Sequence, residues 1–139
     1  EMYTYREMKI EDYQEVYSLW ANTDGMGLGE SDSEEGIAQY LLRNPGHSFV
    51  CEHDGRIVGT VLCGHDGRRG YIHHVAVAKE LRKNGIARTL LSKSLDSLLE
   101  AGIKKCHLMV FGSNHSGQQF WEHNGWQRRD DILIYSKSI

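Results

Sequence analysis

The sequence predicts a mixed α/β (α+β) fold, with one layer of sheet and helices on its faces. Three observations carry that expectation. Asp54-Gly55, set between two β-prone runs, marks a tight hairpin and makes the first half of the sheet antiparallel. A strand, helix, strand passage over 71–111 requires a right-handed parallel crossover in the second half. Apolar residues recur at helical spacing in four segments. At 139 residues, 40% hydrophobic and 25% charged, the chain suits one globular domain over 2–139. Glu1, ahead of Met2, is set aside as a remnant or a processed start.

The elements follow in order. MYTYREM (2–8) alternates as a strand does, and EDYQEVYSLW (11–20) places Tyr13, Val16, Tyr17 and Trp20 at helical spacing. A glycine-rich loop, NTDGMGLGE, leads to Ser31-Asp-Ser-Glu34, a capping signal for the helix IAQYLLR, which Asn44-Pro45-Gly46 stops. HSFVCEH and RIVGTVLCGH flank the hairpin turn, which sets Cys51 opposite Val58. YIHHVAVA is the next strand, with Tyr71, His73, Val75 and Val77 on one face and Ile72, His74 and Ala76 on the other. In the helix GIARTLLSKSLDSLLEAG, the residues Ala87, Leu90, Leu91, Ser94, Leu95 and Leu98 share a face, and Gly102 ends it. Strand IKKCHLMVF, helix SGQQFWEHN, a stop at Gly125 and strand DDILIYSKS complete the chain.

Composition excludes several classes of function. The formal charge is −3, and no basic stretch is interleaved with aromatics, which disfavours a nucleic-acid surface. No apolar run approaches the ~20 residues of a membrane span, and the start lacks a signal-peptide layout, so the expected place is the cytoplasm, with no membrane partner. Cys51, Cys63 and Cys106 are odd in number and lack CxxC spacing, as reduced thiols do. Eight histidines are present without H-x-x-x-H or Cys/His spacing, so no metal is expected.

The charge is unevenly spread. Residues 79–93 hold Lys79, Arg82, Lys83, Arg88 and Lys93 against Glu80, a net +4; residues 24–35 hold Asp24, Glu30, Asp32, Glu34 and Glu35, a net −5. In the basic stretch a strand ends at VAVA and a helix starts at GIARTLL. The first turn of a helix offers unpaired N–H groups and a positive dipole end, which suit phosphate. Arg82 and Lys83 add charge there, Gly85 permits close backbone approach, and Ala87 leaves the first turn open. The turn is neither a Walker loop nor a dinucleotide fingerprint.

On these residues the chain resembles the GNAT superfamily of acetyl-CoA-dependent N-acetyltransferases. Arg82-x-x-Gly85-x-Ala87 is similar to the family's pyrophosphate loop, Q/R-x-x-G-x-G/A, and His74-Val75-Ala76-Val77 resembles its splayed strand. NHSGQQFWEHNGW is similar to the family's N-x-x-A-x-x-F/L-Y-x-x-x-G-F, with Asn114, Phe120, Gly125 and Trp126 in their places and Gly117 where alanine is usual. The resemblance covers nearly the whole chain. It implies a mainly antiparallel sheet of six to seven strands with a central parallel pair splayed apart, flanked by four helices. Acetyl-CoA is the implied cosubstrate, with no metal, held by Val75, Ala76, Val77, Arg82, Lys83, Asn84, Gly85, Ile86, Ala87, Asn114, Phe120 and Trp121.

The implied reaction is direct transfer of acetyl from acetyl-CoA to a primary amine of a small molecule or a peptide, by a monomer or a homodimer. The amine must be neutral to attack, so a base belongs beside the cofactor strand. His73 titrates in the right range and His74 is the second choice. The amide near Val75 is the implied donor to the carbonyl oxygen. One departure stands out: Trp121 occupies the place of the family's frequent general-acid tyrosine, and indole cannot supply a proton. Tyr71, Ser116, a water or bulk solvent takes that role, or the protein is an acetyl-CoA-binding sensor; Asn114 completes the candidate set by holding the cofactor arm or capping its helix.

Overall fold

A computed structural model of the chain describes residues 2–139, and Glu1 lies outside the described residues. The chain divides into two compact units, the first running to Met109 and the second covering Val110–Ile139. The first unit holds a five-stranded mixed sheet in the order β1 (Thr4–Glu7), β2 (Phe49–His53), β3 (Arg56–His65), β4 (Gly70–Val77), β5 (Cys106–Leu108). The first four strands are antiparallel neighbours and β4 pairs β5 in parallel, as the hairpin and the crossover require.

Helices α1 (Tyr13–Ala21) and α2 (Glu34–Arg43) cover one face of the sheet. The core beneath them is Met8, Val16, Trp20, Ile37, Val50, Ile57, Leu62 and Ala76. Trp20 is fully buried and donates its indole N–H to Thr60 Oγ1 at 3.0 Å. Truncating such a residue costs about 3–5 kcal/mol. Helix α3 (Ile86–Glu100) covers the other face, burying Ile86, Leu90, Leu91, Ser94 and Leu98. Leu95, expected on that face, is exposed, and Ile86 takes its share. The helix stops at Gly102, whose φ of +85° needs glycine.

Packing changes the register in ways that periodicity does not show. Asp54 and Gly55 form the predicted turn, with φ of +52° and +74°. A bulge follows, and Cys51 lies opposite Gly59 instead of Val58. The reason is the helix above: a Cβ at position 59 would fall 2.7 Å from the Ile86 side chain, so only glycine fits under α3. The cap of α2 is Ser33, accepting from Gly36 N–H at 3.0 Å, and not Ser31. Predicted strand 103–111 shrinks to β5.

The second unit is α4 (His115–His123) with its flanking segments. The predicted last strand does not form: 130–139 joins no ladder, and Ile132, Leu133, Ile134 and Tyr135 are exposed. The sheet therefore has five strands and not the six to seven expected. Strand propensity reflects packing against neighbours more than an intrinsic backbone preference, so a β-prone run alone does not make a strand.

Candidate active site

The site begins where two strands part. β4 and β5 pair at Gly70 with Cys106, Tyr71 with His107 and Ile72 with Leu108, and there the ladder ends. Among the described residues, no strand pairs the β5 side of β4 from His73 to Val77. On the other side β3 continues, but with a shift: Leu62 faces His74 and Cys63 faces Ile72, leaving His73 as the extra residue of a bulge. A bulge re-aims side chains. Tyr71 shares a face with Gly64, which lies under α2, and His74 and Ala76 share one with Leu62 and Thr60, under α1. So Tyr71, His73, His74 and Ala76 point to the α1/α2 face, and Ile72, Val75 and Val77 to the α3 face. Simple alternation, which grouped His73 with Val75 and Val77, fails at this residue.

The backbone of β4 is aimed for use. Ala78 N–H donates to Val58 O at 2.8 Å, toward β3. In an antiparallel strand a residue's N–H and C=O point the same way and alternate residues point oppositely. Hence Val75 and Val77 turn theirs to the open edge, and Val77 O accepts from Arg82 Nε at 3.3 Å. Arg82 thereby ties the end of the strand to the turn that follows.

That turn runs through a 3-10 segment (Lys79–Leu81) into α3. Lys83 and Gly85 have φ of +69° and +78°, and Asn84 Nδ2 donates to Leu81 O at 2.9 Å. Holding Lys83 left-handed costs about 1–2 kcal/mol. Gly85 is the N-cap of α3 and has no side chain to cap with. The N–H groups of the first turn, Ile86 and Ala87 among them, are thus left facing out beside Arg82, Lys83 and Arg88. A Cβ at Gly85 would meet nothing within 4 Å, so the residue is glycine for its backbone angle and not for want of space.

The adjacent histidines differ sharply. His74 is buried, its Nε2 2.8 Å from Asp32 Oδ1, with its ring 4.6 Å from Trp20. Asp32 is buried too: Oδ2 accepts from Gly29 N–H at 2.9 Å and its carbonyl accepts from the Tyr13 hydroxyl at 2.7 Å. Both His74 and Asp32 are consumed in holding the glycine-rich loop to β4. The sequence gives Asp32 only as one member of a net −5 run, and no periodic signal distinguishes it from its neighbours. His73 is exposed to solvent, with Tyr40 edge-on to its ring at 5.4 Å and Tyr71 stacked on it at 6.3 Å. Loss of hydration, then the neighbouring His74, pushes its imidazole below the usual range, and Asp32 partly opposes this. Tyr71 also meets His107 at 5.9 Å.

In the second unit Asn114 is the N-cap of α4, its Oδ1 accepting from Gly117 N–H at 3.0 Å. Glycine at 117 has a reason: a Cβ there would collide with the folded-over Asn114 side chain. Trp121 packs edge-on between Phe120 at 5.1 Å and Trp126 at 5.3 Å, so its indole has packing work in this unit. Ser116 is exposed, with only a long 3.4 Å contact to Asn114 Oδ1.

Comparison with known proteins gives this geometry a family. Residues 13–126 match the model of the Acetyltransferase (GNAT) family. The chain belongs to that family. An acetyltransferase of Sodalis glossinidius is 31% identical over 134 residues, covering 96% of this chain and 94% of that one; one of Photorhabdus laumondii is 31% identical over 135 residues, with the same coverage. Among solved structures, the PaiA N-acetyltransferase from Thermoplasma acidophilum in complex with coenzyme A has the same fold, with a TM-score of 0.79 at 19% identity over 95% of this chain and 94% of that one. AAC(6')-Iy, in complex with a bisubstrate analogue, gives a TM-score of 0.76 at 16% identity with both chains fully covered.

This protein is thus a GNAT-type acetyltransferase, and acetyl-CoA is its cosubstrate. The residues present fit that molecule. An open strand edge with outward amides suits an amide-bearing arm, and an uncapped, cation-flanked helix start suits a pyrophosphate. Among the described residues no cluster of three metal-ligating side chains occurs, and no helix is long and apolar enough to cross a membrane.

Proposed function

We propose that this acetyltransferase acetylates a primary amine of a cationic small molecule or peptide, with His73 as general base. The observation that carries the reading is the parting of β4 from β5 at the residue where His73 is bulged out. In this reading the N–H groups of Val75 and Val77, with Ala76 between them, line the cofactor arm, and Arg82, Lys83, Asn84, Gly85, Ile86 and Ala87 hold the pyrophosphate. Within the second unit, the match of Asn114, Phe120 and Trp121 to the family motif implies cofactor contacts as well.

When bound, acetyl-CoA supplies an activated acetyl thioester. His73 takes a proton from the incoming ammonium; its lowered pKa keeps it neutral, and so able to accept, at neutral pH. Val75 N–H, on the open edge, supplies the donor for negative charge developing on the carbonyl oxygen. Tyr71, on the same face as His73, is the phenol placed to return a proton to the departing sulfur, a task Trp121 cannot do. With Asp32 committed to His74, the field that draws a cationic acceptor comes from exposed Asp24, Glu30, Glu34 and Glu35. Buried, free Cys51 and Cys63 support a reducing, cytoplasmic setting.

Thiol release measured with acetyl-CoA against polyamines, aminoglycosides and lysine peptides tests this. Turnover with a cationic amine is expected, falling as salt is raised. Tight acetyl-CoA binding without turnover of any amine would contradict the reading.

A further inference from the structure

Bulging frees His73 from its cross-strand partner, so neighbours other than the ladder must set its orientation. Helix α2 supplies one. Tyr40, in the second turn of α2, brings its ring edge-on to the His73 imidazole at 5.4 Å and 83°. Helix α2 comes this close only because β3 carries glycine at 64, where a Cβ would collide with the Tyr40 hydroxyl and the Asn44 side chain. Asn44, buried, locks the same contact by accepting from His65 N–H at 2.9 Å. On its other flank His73 stacks on Tyr71, the two rings 6.3 Å apart and 20° from parallel.

We propose that Tyr40 is a positioning residue for the acetyl-transfer site: its ring, seated over Gly64, fixes the His73 imidazole at the bulge and excludes water from one side of it. The inference rests on the reading of His73 as base. It assigns Tyr40 no proton transfer, because burial pushes the phenol well above its ordinary range and it stays protonated throughout the working pH span. The groups facing His73 are few. His74 and Tyr71 lie on its own strand, Asp32 reaches it from the loop before α2, Tyr40 comes from α2, and His107 on β5 is one ring further, beyond Tyr71. Tyr40 carries no charge and covers the ring from another element, whereas Tyr71 stacks on it from the same strand. Removing it therefore changes hydration and orientation and leaves the charges in place.

The test is an NMR titration of the His73 ring protons in the full chain, the signal being assigned by its loss in His73→Gln. Tyr40→Leu and Tyr40→Met delete the ring and keep an apolar fill; Tyr40→Phe keeps the ring. Loss of the ring should raise the His73 midpoint toward histidine's ordinary ~6.5, and Phe should restore the wild-type midpoint. The acid limb of kcat/KM should move with it, and the plateau should fall about tenfold in Leu and Met from misorientation, with acetyl-CoA affinity unchanged. A His73 midpoint that stays put in both ringless variants, even with a lower Tm, would overturn the proposal, as would failure of Phe to restore it. A midpoint that moves while the rate profile does not would keep Tyr40 as the positioner and remove His73 as the base.

Discussion

Two ends of the same sheet treat their polar groups in opposite ways. At the β3–β4 turn, on the α3 face, everything is spent within the protein. Ser97 donates its hydroxyl proton to Ser94 O at 2.8 Å, so it accepts from His47 Nδ1, also at 2.8 Å. Ser94 donates to His47 O at 2.7 Å, and His65 Nδ1 accepts from Gly67 N–H at 3.0 Å. From His73 to Ala87 the reverse holds: one strand edge, one imidazole and one helix start face outward. A histidine signals chemistry when its surroundings leave it unspent, and the His47 end shows what a spent one looks like.

If that division is right, changes at the open end should harm binding or turnover and spare the fold. The largest effect belongs to His73→Gln, which should lower kcat/KM by about 10²- to 10⁴-fold. It should also erase the acid limb while leaving acetyl-CoA affinity intact; a full set of pH–rate profiles checks both. Gly85→Glu should follow, weakening acetyl-CoA binding at least 100-fold by calorimetry, because a carboxylate would enter an anion site. Its φ of +78° adds only about 1 kcal/mol of strain, so the mutant should still fold.

At the closed end the readout should reverse. Ser97→Ala strands the His47 Nδ1–H and should cost about 1–3 kcal/mol in denaturant unfolding, with kcat/KM unchanged. A smaller effect is expected with pH. Burial, then His65, holds His47 below its unfolded value, so the unfolded chain binds the proton more readily. The stability this contributes is complete above about 6.5 and is lost as the pH falls from there toward the lower folded value. His47→Gln should flatten that part of the stability curve.

The same contrast explains what the sequence disclosed. Local chemistry was legible: the Asp54-Gly55 turn, the stop at Gly102, the Arg82-to-Ala87 turn and the four helices all rest on residues whose conformational preferences act within a few positions. What periodicity missed was set by elements meeting in space. The bulge at Val58 brings Gly59 under Ile86, and the burial of Asp32 answers to His74, 42 residues away. The bulge at His73 reversed the faces of Val75 and Val77, and alternation alone holds no sign of it. The predicted last strand shows the same limit: β-prone residues alone do not make a strand.

The central claim is that the open edge of β4 receives acetyl-CoA, and amide hydrogen exchange at single-residue resolution tests it most directly. The N–H groups of His74 and Ala76, aimed at β3, should be protected in the free protein and change little on adding acetyl-CoA. Those of Val75 and Val77 should exchange quickly when free and become at least tenfold slower when acetyl-CoA is bound. Equal protection of all four amides in the free protein, or no change at Val75 and Val77 at saturating acetyl-CoA, would contradict it.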